Sequence, residues 1–416
     1  MPNPLSFRKY KYHFLLLLLG WIWITVFDLL LQGRLQAFVS PDAQSYVDSA
    51  QNLYLHLRGH NYRPMGMALI TGIPYLFGAT TEAIFAFSYW VNLFCWLGSL
   101  VLVFEIGKHF LKPKIAFFLA LPCIFLIGIN AVVFELATEI IYLFLVLLAF
   151  YFLARYYKTE LFKFLCFGLA ILVLSMLIKP GFKFFAILLT LLFLKSIIFN
   201  HASKYSWLIY GSYLLVLLQC AGVKYQFGNF TLSYIDAVTY YDYLGARTEA
   251  LESERPFKEV WLERATYIYS RPCPEQKEIA AKDFLRQLQS NTIHFFEAYG
   301  VNLIENSATG SVQVELMKEV KPKNYFKNAK ILVYSISKWQ NRIGTLLGFL
   351  LSIWAIWKFR RQENLFAIAG GFVLYTMLLS AISCSEGDRF HVVTFPFVVI
   401  LLGKFIAGKR KVFAAG

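Results

Sequence analysis

Two short stretches hold the residue types that acid–base and anion chemistry need. The first, Ser40-Pro41-Asp42-Ala43-Gln44-Ser45-Tyr46, places an acid at the predicted start of a helix. Ser40 fits the N-cap and Pro41 the first helical position. Ala43, Tyr46, Val47, Ala50 and Leu53 follow with helical spacing. Asp42 then falls in the first turn, where the helix dipole favours its ionised form. Tyr46 and Ser49 share its face, whereas Asp48 is turned about 120° away and is expected to be solvated. The second stretch, Asn61-Tyr62-Arg63-Pro64, supplies a guanidinium able to grip phosphate oxygens with two hydrogen bonds. A base beside an anion site predicts chemistry on a phosphorylated lipid. Each stretch also has a plainer reading. Asp42 can be a helix-start acid, and Arg63 an interfacial arginine with its charge drawn toward water. His60 is expected at the surface.

Further candidates lie along the chain. Glu135 and Glu139 sit before or at the start of an apolar run, and an acid at the mouth of a membrane span is a site candidate. Lys179-Pro180-Gly181 suits an anion site or a simple turn. Arg389, beside Glu386 and Asp388, is either a phosphate ligand or the partner of its neighbouring acids. No Cys/His spacing suggests zinc. Cys95, Cys123, Cys166 and Cys220 read as small core residues, and Cys273 and Cys384 are left as a possible pair.

The elements that must position these residues are membrane helices. The chain has 416 residues, 58% of them hydrophobic, and a mean hydropathy of +0.54. Apolar runs at 12–31, 83–104, 115–130, 136–154, 164–179, 184–199, 206–223, 341–357, 365–382 and 391–407 approach the ~20 residues that cross a bilayer. The net charge of +15 raises the question of nucleic acid. Its distribution answers it: between Tyr225 and Ser337, 13 Lys/Arg face 14 Asp/Glu, so the excess lies beside the apolar runs. On alternate connections 18 basic residues accompany only Glu105, Glu160 and Glu363. The positive-inside rule then predicts ten spans with both termini cytoplasmic, and no nucleic-acid partner. Arg8-Lys9-Tyr10-Lys11 before Phe14–Leu31 reads as a retained signal anchor.

Pro64–Gly78, apolar but short and interrupted by Gly and Pro, is expected as a juxtamembrane or re-entrant segment. The predicted organisation is an N-terminal transmembrane module, 1–224, with a first outer loop at 32–82. A folded extracytoplasmic domain, 225–337, and C-terminal transmembrane helices, 338–416, follow. Apart from those in that domain, the notable ionisable residues gather at outer span ends, not at mid-bilayer where a coupled carrier would hold some.

In these residues the chain resembles the GT-C superfamily of membrane glycosyltransferases, in particular the branch of protein O-mannosyltransferases and lipid A aminoarabinose transferases. The resemblance rests on Ser40-Pro41-Asp42 with Tyr46 and Ala50, on Tyr62-Arg63-Pro64 with a short apolar segment ending Tyr75-Leu76-Phe77-Gly78, and on Thr138-Glu139. Lys179-Pro180-Gly181, Asp388-Arg389-Phe390 and Pro396 complete it. It implies an all-α GT-C-like bundle of about ten transmembrane helices in the bacterial inner membrane. The implied activity is sugar transfer, with inversion, from a polyprenyl-phosphate donor to a cell-envelope glycan, lipid or protein acceptor on the periplasmic face. Asp42 takes the catalytic position and Glu139 that of a second acid. Arg63, Lys179 and Arg389 fall around the donor phosphate, with Tyr46 and Tyr62 as sugar or acceptor contacts. No cofactor is implied with certainty; a divalent cation bridging Asp42 and the phosphate is conceivable, without a visible ligand set. Ala43 stands where protein mannosyltransferases commonly have Glu, and 225–337 has no lectin-like signature, which argues against a protein acceptor. A flippase of lipid-linked saccharides, a glycan polymerase or ligase using a diphosphate-linked donor, and a non-enzymatic assembly protein are the rival readings.

Overall fold

The computed structural model describes residues 4–36, 40, 42–360, 364–384 and 386–413, without the side chains of 4–9 and 409–413. The predicted first helical residue, Pro41, and the charged Arg361 and Glu363 lie outside the described residues. Helix α1 (Pro4–Leu31) ends where Gln32 turns left-handed at φ 55°. Next come α2 (Asp42–His56), α3 (Met65–Thr71) and α4 (Thr81–Gly107). Two short helices, α5 (Pro113–Ala120) and α6 (Ile127–Val132), precede α7 (Glu139–Thr159) and α8 (Phe162–Ser175). The first half closes with α9 (Lys183–Leu192), α10 (Leu194–Phe199) and α11 (Ser206–Phe227). A run of amphipathic helices follows: α12 (Ile235–Thr239), α13 (Gly245–Glu252), α14 (Phe257–Tyr269), α15 (Cys273–Ser290), α16 (Thr292–Ala308) and α17 (Val312–Leu316). Apolar character returns in α18 (Phe326–Phe359), α19 (Asn364–Ser380) and α20 (Phe395–Phe413).

By length and composition five helices can cross a membrane: residues 10–31 of α1, α4, α7, α11 and α18. Five shorter apolar helical stretches, at 113–125, 162–175, 180–192, 364–380 and 395–408, fall on the remaining predicted runs. The chain is a multi-pass membrane protein. One continuous apolar core threads the bundle from Leu16 to Leu401, with α7 packed on α4 and α8, and α18 on α19 and α20. A separate small core, including Tyr240, Leu244, Ile268 and Phe295, holds α12–α16 together, and Tyr62 and Ile382 pack against it.

The structure corrects several expectations. The run at 115–130 is not one helix: Pro122 cannot donate a backbone hydrogen bond, and the chain passes through a 3-10 turn and an extended Leu126 before α6. Another break at Phe193 divides 184–199 into α9 and α10. The fourth run becomes helical only at Glu139, after a turn containing Glu135. The eighth starts at Phe326, well before its apolar part. Pro64–Gly78 forms α3, about 10 Å long at 1.5 Å per residue, and a 3-10 turn closed by Gly78 at φ 70°. No disulfide joins Cys273 and Cys384.

Two close approaches decide where the site residues stand. Gly66 donates its N–H to the Leu177 carbonyl at 3.0 Å. A Cβ at Gly66 would lie 2.6 Å from that oxygen, so only glycine lets α3 dock on the end of α8. Near the C-terminus Gly387 has φ 54° and faces the Gly310 carbonyl, which holds the 386–391 turn against the α16–α17 connection. Side-chain amides complete the join. Asn302 and Asn306 donate to the carbonyls of Ala381, Ser380 and Ser383, and Asn341 donates to those of Asn306 and Thr309.

Candidate active site

At the start of α2, Ser40 Oγ accepts the Asp42 N–H at 3.1 Å, so the predicted cap forms. It leaves the Asp42 carboxylate projecting from the first turn. Arg63 Nη2 donates to Asp42 Oδ1 at 2.5 Å and Arg389 Nη2 lies 2.7 Å from Oδ2. Arg63 is further fixed by Ser45 Oγ at 2.8 Å and Tyr46 Oη at 3.3 Å, and its guanidinium lies 4.4 Å from the centre of the Tyr46 ring. Tyr46 is therefore a support for Arg63, on the face of α2 that Asp42 occupies.

A second carboxylate completes the network. Glu139 Oε1 accepts from Lys179 Nζ at 2.7 Å and from Arg389 Nε at 2.9 Å. Arg389 reaches Glu386 with its remaining nitrogen at 3.1 Å. Arg389 thus uses all three nitrogens on three carboxylates, from α2, from α7 and from its own turn. Glu139 is 1% exposed and its Oε2 is buried without a hydrogen bond. A carboxylate this buried keeps its charge because Lys179 and Arg389 offset its desolvation.

The electrostatics follow from this packing. Burial pushes the Asp42 carboxyl up, but the Arg389 and Arg63 guanidiniums outweigh it and hold the group well below the usual carboxylate range. Glu135, in the turn before α7, shows the opposite outcome. Burial above all lifts it to about 7, with Glu139 and Asp42 adding to the rise against the pull of Arg389. His60, expected at the surface, is half-buried. Its Nδ1 accepts the N–H groups of Tyr62 and Arg63 at 3.1 and 3.2 Å, and burial, with Arg63 nearby, lowers it to about 4. A neutral His60 shapes the turn that aims Arg63.

These groups open onto a cavity of about 1150 Å³. Asp42, Tyr46, Tyr62, Arg63, Glu139, Lys179 and Arg389, all singled out in the sequence, line it. The opposite wall comes from α12–α16 and includes Tyr240, Tyr243, Tyr269, Lys277 and Phe295. Tyr62 belongs to both sides: its hydroxyl donates to Gln276 at 3.1 Å and its ring meets Tyr269 edge-on. An apolar flank reaches the bundle surface through Phe184 and Phe296, which are 63% and 61% exposed.

Sequence reasoning missed Tyr243, Lys183, Asp236 and Lys277, all on the cavity wall. The run Tyr240-Tyr241-Asp242-Tyr243 was a usable signal, since it forms a π-helix at 240–244, a departure common at functional sites. A resident divalent ion does not fit the acids. Both Asp42 oxygens and Glu139 Oε1 already meet cationic nitrogens, and no group of three or more His, Cys, Asp or Glu among the described residues is arranged to hold a metal.

No protein-family model matches the chain, and no curated protein matches it. Among solved structures it is similar to the crystal structure of ArnT from Cupriavidus metallidurans in the apo state. The two are 12% identical with a TM-score of 0.36, over 94% of this chain and 78% of that one. That overlap is too loose to carry any residue's role across.

Proposed function

We propose that the chain is an inverting glycosyltransferase that takes a sugar from a polyprenyl-phosphate donor on the extracytoplasmic side of the membrane. The observation that supports this most is the Asp42 carboxylate held between two guanidiniums at the rim of a cavity with an apolar flank open to the bundle surface. A lipid tail fits that flank, and the phosphate fits the cations.

In the reaction the bond between the sugar's anomeric carbon and the donor phosphate oxygen breaks. Its electron pair stays on the polyprenyl phosphate. Arg63, Arg389 and Lys179 stabilise the developing charge from fixed positions. The acceptor's hydroxyl or amine attacks the opposite face of that carbon, and its proton passes to Asp42. Glu139 serves by orientation, fixing Lys179 and Arg389 with one oxygen.

The resting network makes Asp42 a weak base, because both its oxygens are engaged. The donor's phosphodiester anion competes with Asp42 for the same arginines and so frees the carboxylate. Donor binding then activates the base, which limits proton uptake in the absence of donor.

The test is transfer of labelled sugar from a polyprenyl-phosphate sugar in proteoliposomes. Asp42→Asn should lower the rate by about 10²–10⁴, the usual contribution of a positioned base, while donor binding persists. Full activity in Asp42→Asn at normal expression would remove Asp42 as the base. Translocation of intact donor without bond cleavage would replace the whole reading by a carrier.

A further inference from the structure

The network around Asp42 is self-neutralising, with three carboxylates facing three cations. The far wall of the same cavity is not. There Lys183, at the start of α9, pairs with Asp236 of α12 at 2.7 Å. Lys277 of α15 lies on the same wall. Its ammonium donates to the hydroxyl of Thr231 at 2.6 Å, and among the described residues no carboxylate stands within ion-pair distance of it. Two ammonium groups thus stand on a concave, half-buried surface with one carboxylate, which only Lys183 reaches. Burial first, and then the charge of Lys183, lowers the Lys277 pKa against the pull of Asp236. An incoming anion would relieve both effects.

We infer that Lys183 and Lys277 form a second anion site in the cavity, taking a phosphoryl group. Phe184, one residue beyond Lys183, lines the cavity and is exposed on the apolar flank, so a lipid can carry that phosphoryl group to the lysines. The cavity volume exceeds that of a usual small-ligand pocket, which leaves room for a second ligand beside the Asp42 network. If the glycosyl-transfer reading holds, on which this step rests, the second ligand is the acceptor, and the acceptor is an anionic lipid.

The experiment uses the full-length chain in nanodiscs of neutral phosphatidylcholine, titrated with dodecyl phosphate and followed by phosphorus NMR. Wild type should bind two equivalents. Lys183→Gln with Lys277→Gln should weaken one of them by at least about tenfold, as expected for losing charge-assisted hydrogen bonds. Lys277→Arg should retain it, which separates lost charge from lost fold. Inorganic phosphate competing as well as dodecyl phosphate at the lysine pair would make free phosphate the ligand; failure to compete would make it lipid-borne. Equal stoichiometry and affinity in wild type and the double Gln variant would overturn the site. Two equivalents bound without sugar transfer would uphold the site and sink the transferase reading. Sugar transfer with only one equivalent bound would do the reverse.

Discussion

At the scale of single residues, Glu135 and Asp42 show how the same bundle treats two buried acids in opposite ways. Asp42 meets two guanidiniums and stays ionised, whereas burial dominates at Glu135 and lifts it to about 7. The sign for stability follows. Between 4.5 and about 7 the native state keeps a proton on Glu135 that the unfolded chain has lost. The stability this contributes is full below 4.5 and disappears as pH rises through 7. Glu135→Gln should therefore melt at a higher temperature than wild type at pH 8 and at nearly the same temperature at pH 4, by thermal unfolding in detergent. A uniform shift at both pH values would show that packing, and not ionisation, is responsible. Asp42 was legible in the sequence because a cap and a helix start leave local signals. The buried setting of Glu135 was not, since it depends on partners far along the chain: Asn92 of α4 donates to its carbonyl, and Arg389 acts on its carboxyl from the 386–391 turn.

At the scale of elements, the site exists because short segments dock on the ends of long ones. Arg63 and Lys179 reach one cavity because α3 seats its Gly66 on the Leu177 carbonyl at the end of α8. Gly66→Val should cost about 1–3 kcal/mol, the usual range for overpacking a tight contact. It should also lower sugar transfer more than donor affinity, since it displaces Arg63 from Asp42 without removing either charge. Unchanged kinetics in a folded Gly66→Val protein would show that the docking does not position Arg63. Apolar runs marked the helices well, because hydropathy is a property of composition. Breaks at Pro122 and Phe193, and the early start of α18, were missed because hydropathy reports apolar content and not backbone hydrogen bonding. The cavity wall from α12–α16 was the least legible part. Its lysines and tyrosines have ordinary surface composition, and only the fold turns them inward.

At the scale of the whole molecule, the charge pattern and the site imply one orientation. Short connections rich in Lys and Arg should face the cytoplasm, and the Asp42 end should face away from it. Cysteines placed at exposed Lys112 and Glu254 test this. In intact cells a membrane-impermeant maleimide should label Glu254→Cys and should reach Lys112→Cys only after lysis. The reverse pattern would put the cavity on the cytoplasmic side and exclude an extracytoplasmic donor.

Helix α18 has a mechanical meaning. Its 34 residues run unbroken from the amphipathic helices into the apolar bundle, a rod about 51 Å long at 1.5 Å per residue. Asn341 ties its middle to α16, and Gln32, donating to the Lys321 carbonyl, ties the segment before it to the end of α1. A rod clamped in this way is a strut. It fastens α16, whose Phe295 and Tyr299 line the cavity, to the apolar bundle through the Asn341 amide.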